Sequence, residues 1–162
     1  MTTTRLAPGD PAPAFTLPDQ HDEPVSLADF AGRHVLVFFY PKAGTSGCTT
    51  QACGLRDVAG RIGSTAVVGI SPDPPSRQAA WDAKHGFGFP LLSDPDHAVA
   101  DAYGVWGPKK LYGREYEGII RSAFLVDPDG RIAEAWYRIS PKATPDKLLT
   151  ALAERGIAEE AS

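Results

Sequence analysis

Apolar positions come in short bursts separated by turn residues, and their spacing changes along the chain. Phe15 and Leu17 alternate with prolines and polar residues, which predicts an edge strand. A polar turn through His21-Asp22-Glu23-Pro24 leads to Val25 and Leu27, giving an N-terminal β-hairpin, and Ser26 to Gly32 reads as a helical turn closed by glycine. Val35-Leu36-Val37-Phe38-Phe39-Tyr40 is a continuous run of strand length, as expected of a buried strand. Leu55, Val58, Ala59 and Ile62 then recur at three and four, which predicts a helix over 47–62, weakened by Gly60 and ended by Gly63.

Thr65 to Ile70 is the next buried strand, followed by the turn Ser71-Pro72-Asp73-Pro74 and a helix over 75–86 that carries Trp81. Pro90-Leu91-Leu92 reads as a short strand. His97 to Tyr103 reads as a short helix capped by Asp94 or Asp96. Residues 104–118 are rich in glycine and aromatics and read as a functional loop. Arg121–Asp127 and Arg131–Arg138 form a hairpin across Asp127-Pro128-Asp129-Gly130. Thr144 caps a last helix that starts at Pro145, turns Leu148, Leu149 and Leu152 inward, and leaves a frayed tail from Ile157. The order β, β, α, β, α, β, α, β, β, α implies one α/β domain over 1–162, with a mixed central β-sheet flanked by helices on both faces.

Composition narrows the functions available. Hydrophobic residues make up 43% and charged residues 22%, as in ordinary globular proteins. A net charge of -4 argues against a nucleic-acid partner, and no apolar run reaches the length of a membrane span. Met1 to Arg5 lacks the apolar core of a signal peptide, so the expected compartment is the cytoplasm. In a reducing compartment a cysteine pair serves catalysis or metal binding more often than it staples a fold. The two cysteines and the dispersed His21, His34, His85 and His97 show no zinc spacing, so no metal is expected.

Those two cysteines, Cys48 and Cys53, follow the first buried strand and the loop Pro41-Lys42-Ala43-Gly44-Thr45-Ser46-Gly47. A cysteine at a helix start meets unpaired N–H groups and the positive end of the helix dipole, which favour thiolate. Cys48 is therefore the candidate nucleophile and Cys53 its candidate partner, set against the plainer reading of two small buried apolar residues. On one regular helix, five residues rise about 7.5 Å and separate the Cα atoms by roughly 8–9 Å. That exceeds the about 7 Å limit for a disulfide. A bond between them requires the helix to unwind locally, and Gly44, Gly47, Thr49 and Thr50 weaken that end. A thiolate that attacks a peroxide becomes a sulfenic acid, which a nearby thiol converts to a disulfide. Thr45 can hydrogen-bond beside the sulfur, and Pro41 can shield it without adding a donor.

Pro41-x-x-x-Thr45-x-x-Cys48 resembles the active-site motif of peroxiredoxins, and a second cysteine five positions on resembles the peroxiredoxin Q or bacterioferritin comigratory protein group. Gly9-Asp10-x-Ala12-Pro13-x-Phe15-x-Leu17, Phe39-Tyr40-Pro41, Tyr103-Gly104-Val105-Trp106-Gly107 and Gly118-Ile119-Ile120-Arg121-Ser122-x-Phe124-Leu125-x-Asp127 extend the resemblance over nearly the whole chain. The resemblance implies a thioredoxin-like fold and a thiol-dependent peroxidase acting on hydrogen peroxide and organic hydroperoxides. It makes Cys48 the peroxidatic and Cys53 the resolving cysteine, joined as an intramolecular disulfide. It also brings Arg121 beside the sulfur, where its fixed charge favours thiolate. The implied partner is thioredoxin or a similar dithiol, with no bound cofactor and a monomer or weak homodimer as the working unit. The chain departs from the group at Ser46, where proline is common, at Ala43 and Gly44, where acidic residues are common, and at Gln51, where glutamate is usual. Two alternatives remain at this stage. One is a disulfide reductase, which the wide cysteine spacing disfavours. The other is a redox-sensing or holdase module whose binding surface the disulfide switches.

Overall fold

The computed structural model describes residues 5–111 and 113–156. The expectation of a frayed tail from Ile157 lies outside them. Five strands form the central sheet: β3 (Val35–Phe39), β4 (Ala66–Ser71), β5 (Leu91–Ser93), β8 (Ser122–Val126) and β9 (Ile132–Trp136), in the order β5-β4-β3-β8-β9. β3 pairs in parallel with β4 and antiparallel with β8, so the sheet is mixed, as expected. β1 (Thr16–Pro18) and β2 (Pro24–Ser26) form the N-terminal hairpin.

Every residue of β3 is buried, because its alternate side chains enter two different cores. Leu36 and Phe38 point to the layer holding α1 (Ser46–Asp57), α2 (Pro75–His85) and α4 (Thr144–Glu154), where Leu55, Trp81, Leu148 and Leu152 meet them. Val35, Val37 and Phe39 point the other way, toward Phe15, Phe30, Phe124 and Tyr103 of α3 (Ala98–Tyr103). α1 and α4 pack closely at Gly54, where a Cβ would lie 2.7 Å from Pro145 Cγ. The absence of a side chain there is a packing requirement.

Three expectations need correction. The stretch 104–118 is not a loop: β6 (Trp106–Leu111) and β7 (Arg114–Ile119) pair antiparallel, from Trp106 opposite Ile119 to Leu111 opposite Arg114. Gly107, Pro108, Gly113 and Gly118 read as turn residues, yet a two-stranded ribbon has free edges where a proline's missing N–H costs no pairing. The helix expected over 47–62 stops at Asp57, and a 3-10 turn over Ala59–Arg61 follows. That turn changes the angular spacing, so Leu55 and Ile62 are buried while Ala59 is exposed. Thr144 opens α4 from inside: Ala143 holds the cap position, and the Thr144 hydroxyl donates to Ser140 O at 2.8 Å. His97 holds the cap position of α3, and the two expected carboxylates serve its first turn from outside: Asp94 accepts from Ala100 N at 3.0 Å and Val99 N at 3.3 Å, and Asp96 accepts from Ala98 N at 3.3 Å.

Candidate active site

β3 delivers Tyr40 and the following loop to the start of α1. Tyr40 N donates to Ile70 O at 3.1 Å, which extends the sheet pairing by one residue. The loop is tied from below by a buried carboxylate: Asp73 Oδ2 accepts from Ala43 N at 2.6 Å and from the Ser71 hydroxyl at 2.7 Å. Gln78 Nε2 donates to Ser71 Oγ at 2.9 Å, and Tyr40 donates its hydroxyl proton to Gln78 Oε1 at 2.6 Å. Burial pushes the Tyr40 hydroxyl far up, so it remains a donor at physiological pH.

Cys48 lies in the first turn of α1 with none of its surface exposed. Thr49 N–H donates to Thr45 O at 2.9 Å, so the N–H groups before it are not used by the helix and point toward the sulfur's end. Arg121, in the link between β7 and β8, reaches across 73 positions of sequence. Its Nη2 donates to Cys48 Sγ at 3.4 Å. Its Nη1 donates to Gln51 Oε1 at 2.8 Å. Gln51 is fully buried and passes the contact on, with Nε2 donating to Thr144 Oγ1 at 3.0 Å. Thus the β7–β8 link and the start of α4 are both tied to α1 through the one amide of Gln51. Gly47 makes room for it, since a Cβ there would lie 3.2 Å from Arg121 Nη2.

The other sequence candidates are distributed around this centre. Pro41 is half-buried directly after Tyr40. Thr45 stands at the N-cap of α1, and its exposed hydroxyl donates to Lys42 O at 2.9 Å rather than to the sulfur. Cys53 is on the same unbroken helix as Cys48, half-buried, and both are free thiols. Lys109 is half-buried in β6, and its Nζ donates to Ile119 O at 2.7 Å. Burial, and then the Arg121 charge, push its ammonium down. Among the described residues, no group of three or more His, Cys, Asp or Glu is placed to hold a metal ion. Among the same residues, no helix is long and apolar enough to cross a membrane.

A buried cysteine in the first turn of a helix, beside a fixed guanidinium, is an arrangement suited to attack on a peroxide oxygen once the thiol has lost its proton. The model of the AhpC/TSA family matches residues 8–135. The chain belongs to that family. Within it, the relatives are peroxiredoxins. A putative peroxiredoxin of Mycobacterium tuberculosis is 54% identical over 144 residues, covering 88% of this chain and 90% of that one. Peroxiredoxin Bcp of Escherichia coli is 46% identical over 151 residues, covering 92% and 97%. Among solved structures, peroxiredoxin Q of Xylella fastidiosa superposes with a TM-score of 0.87 at 28% identity, covering 94% of this chain and 99% of that one. The bacterioferritin comigratory protein of Xanthomonas campestris, studied for alkyl peroxide reduction, gives 0.82 at 31% identity, covering 87% and 91%. The fold is thioredoxin-like, and the enzyme class is that of the peroxiredoxin peroxidases.

Sequence reasoning saw Gln51 only as a missing charge. The structure gives it a partner on each side of its amide. A leucine at 51 would strip Arg121 of its anchor and leave the Thr144 hydroxyl without its donor. A hydrogen bond to a charged group is worth about 1.5–3 kcal/mol, so chemical denaturation should show Gln51→Leu destabilised by about that amount. Its peroxide rate should fall by about 10- to 100-fold as the guanidinium loosens, on the same 1.5–3 kcal/mol scale. Gln51→Glu, which keeps an acceptor for Arg121, should retain most of the activity.

Proposed function

We propose that this chain is a two-cysteine peroxidase in which Cys48 reduces hydrogen peroxide or an organic hydroperoxide and Cys53 resolves the product. The observation that carries the reading is Arg121 Nη2 at 3.4 Å from the buried Cys48 Sγ at the head of α1. The thiolate attacks the nearer peroxide oxygen, the O–O bond breaks, and the departing oxygen leaves as water or alcohol after taking a proton. Cys48 is then a sulfenic acid. Arg121 and the free N–H groups of the first turn support the charge that builds on the departing oxygen. In this reading Thr45 fixes the loop that presents those groups, through its bond to Lys42 O. Pro41 keeps water from the sulfur. A cleft of about 480 Å³ lined by Pro108, Lys109, Glu115 and Arg138 offers room for the organic part of a larger hydroperoxide.

For the second half of the cycle, the first turns of α1 open and Cys53 attacks the sulfenic sulfur, forming an intramolecular disulfide and releasing water. Thioredoxin or a similar dithiol reduces that disulfide. The protein works in the cytoplasm, as a monomer or weak homodimer, without a bound cofactor. Wide cysteine spacing and a helical Cys53 favour this over a disulfide reductase. Steady peroxide-dependent NADPH oxidation with thioredoxin and its reductase is the expected result, and an exchange with no sustained turnover would instead support the sensor reading. Cys53→Ser should consume about one equivalent of peroxide per chain quickly and stop at the sulfenic acid, with a second equivalent then taken up slowly as Cys48 passes to sulfinic acid, as peptide mass spectrometry would show.

A further inference from the structure

We propose that His85 is the base that takes the proton from Cys53 as the disulfide forms. The inference rests on Cys53 being the resolving cysteine and adds the group that activates it. Cys53 Sγ lies 3.9 Å from His85 Nδ1, across the α1–α2 contact. The sequence placed the two 32 positions apart with nothing to join them.

α1 meets α2 along one face. Trp81 Nε1 donates to Thr49 Oγ1 at 3.1 Å, Cys53 faces His85, and Arg56 Nη1 donates to His85 O at 2.7 Å. Positions 49, 53 and 56 follow the helical repeat, so they share one stripe. His85 is the last residue of α2, and both its backbone and its ring are held. Arg56 holds its carbonyl, and Phe87 stacks on its ring at 5.3 Å and 25°. Phe87 is itself buried, with its ring 4.6 Å from Trp81. The imidazole edge is thereby held toward the sulfur. The charged groups nearby are Arg56 on α1, paired with Asp57 at 3.0 Å, and Asp82 and Lys84 on α2. None of these has an acceptor on Cys53; His85 Nδ1 is in contact with it and, in the tautomer that carries its proton on Nε2, can accept the thiol proton.

The chemistry requires such a group. A thiol must lose its proton before it attacks, and an imidazole is suited to accept one near neutral pH. The Cys53 proton moves to His85 Nδ1. The Cys53 sulfur then forms the S–S bond as the S–O bond of the Cys48 sulfenic acid breaks. The departing hydroxide takes a proton from the imidazolium and leaves as water. Cys53 is oxidised, the sulfenic sulfur is reduced, and no outside reagent is consumed. The buried Leu55 and the Arg56–His85 bond hold Cys53 beside the imidazole.

The test uses the full chain with one equivalent of hydrogen peroxide in a rapid-mixing experiment, quenched by alkylation and read by intact mass. His85→Phe keeps a ring to stack on Phe87 and removes the proton acceptor. Disulfide formation in this variant should slow by about tenfold or more near neutral pH. The deficit should shrink toward alkaline pH, where hydroxide ionises the thiol directly, and added imidazole should restore part of the rate. A variant that forms the disulfide at the wild-type rate across the pH range overturns the proposal. So does a slow variant whose pH dependence is unchanged and that ignores imidazole, because His85 would then act only by packing. Wild-type protein that gains one oxygen and never forms the internal disulfide overturns the Cys53 assignment and this proposal together.

Discussion

Cys48→Ser is expected to remove peroxide turnover, lowering the rate by at least about 10⁴-fold, to the background of the reductant alone. The sulfur is the atom to which the rest of the site is fitted. It is fully buried in the first turn of α1, and Arg121 aims one nitrogen at it. A serine hydroxyl fits the same space but does not ionise near neutral pH, and among the described residues the side chain in hydrogen-bond contact with position 48 is Arg121, a donor that cannot take its proton. The variant should therefore stay folded, with a melting temperature within a few degrees of wild type. A coupled assay that found normal peroxide consumption would move the chemistry to another residue.

Arg121→Met should lower the rate constant for peroxide by about 10²–10³, the usual cost of losing one donor aimed at developing charge. Methionine occupies similar space, so the loss reports the charge and the two N–H groups. Iodoacetamide at neutral pH should also alkylate Cys48 more slowly, because negative charge on the sulfur loses its cation. Arg121→Lys should recover only part of this. A lysine presents one ammonium and cannot bond Gln51 and Cys48 from a single fixed plane, as the guanidinium does at 2.8 Å and 3.4 Å. A peroxide rate within twofold of wild type for Arg121→Met would mean that the helix start alone stabilises the sulfur.

What the sequence made legible follows from the range over which each signal acts. The apolar run Val35–Phe39 and the proline at the head of the last helix act locally, and both elements stand close to where the pattern put them. The 106–119 hairpin was hidden because its stabilising partners lie across the ribbon, while the glycines and Pro108 within each strand imitate turns. Cys48 and Cys53 declared themselves by rarity and position. The contact between Arg121 and Cys48 could not be read from residue order, and only the family resemblance pointed to it. The loop tether through Asp73, the two-sided amide of Gln51 and the His85 contact to Cys53 depend on how α1, α2, α4 and β4 come together. Nothing local in the sequence encodes them. Thr45 shows the opposite limit: its position at the helix start was legible, but the direction of its hydroxyl, toward Lys42 O, was not.

The central claim is that Cys48 and Cys53 stand apart on a folded α1 and join only after Cys48 is oxidised. Treating the reduced protein with one equivalent of hydrogen peroxide, then mapping its peptides without reduction, tests it directly. The account predicts a single disulfide linking Cys48 to Cys53 within one chain. A stable sulfenic acid on Cys48 with Cys53 still free, or a disulfide between two chains, would contradict it.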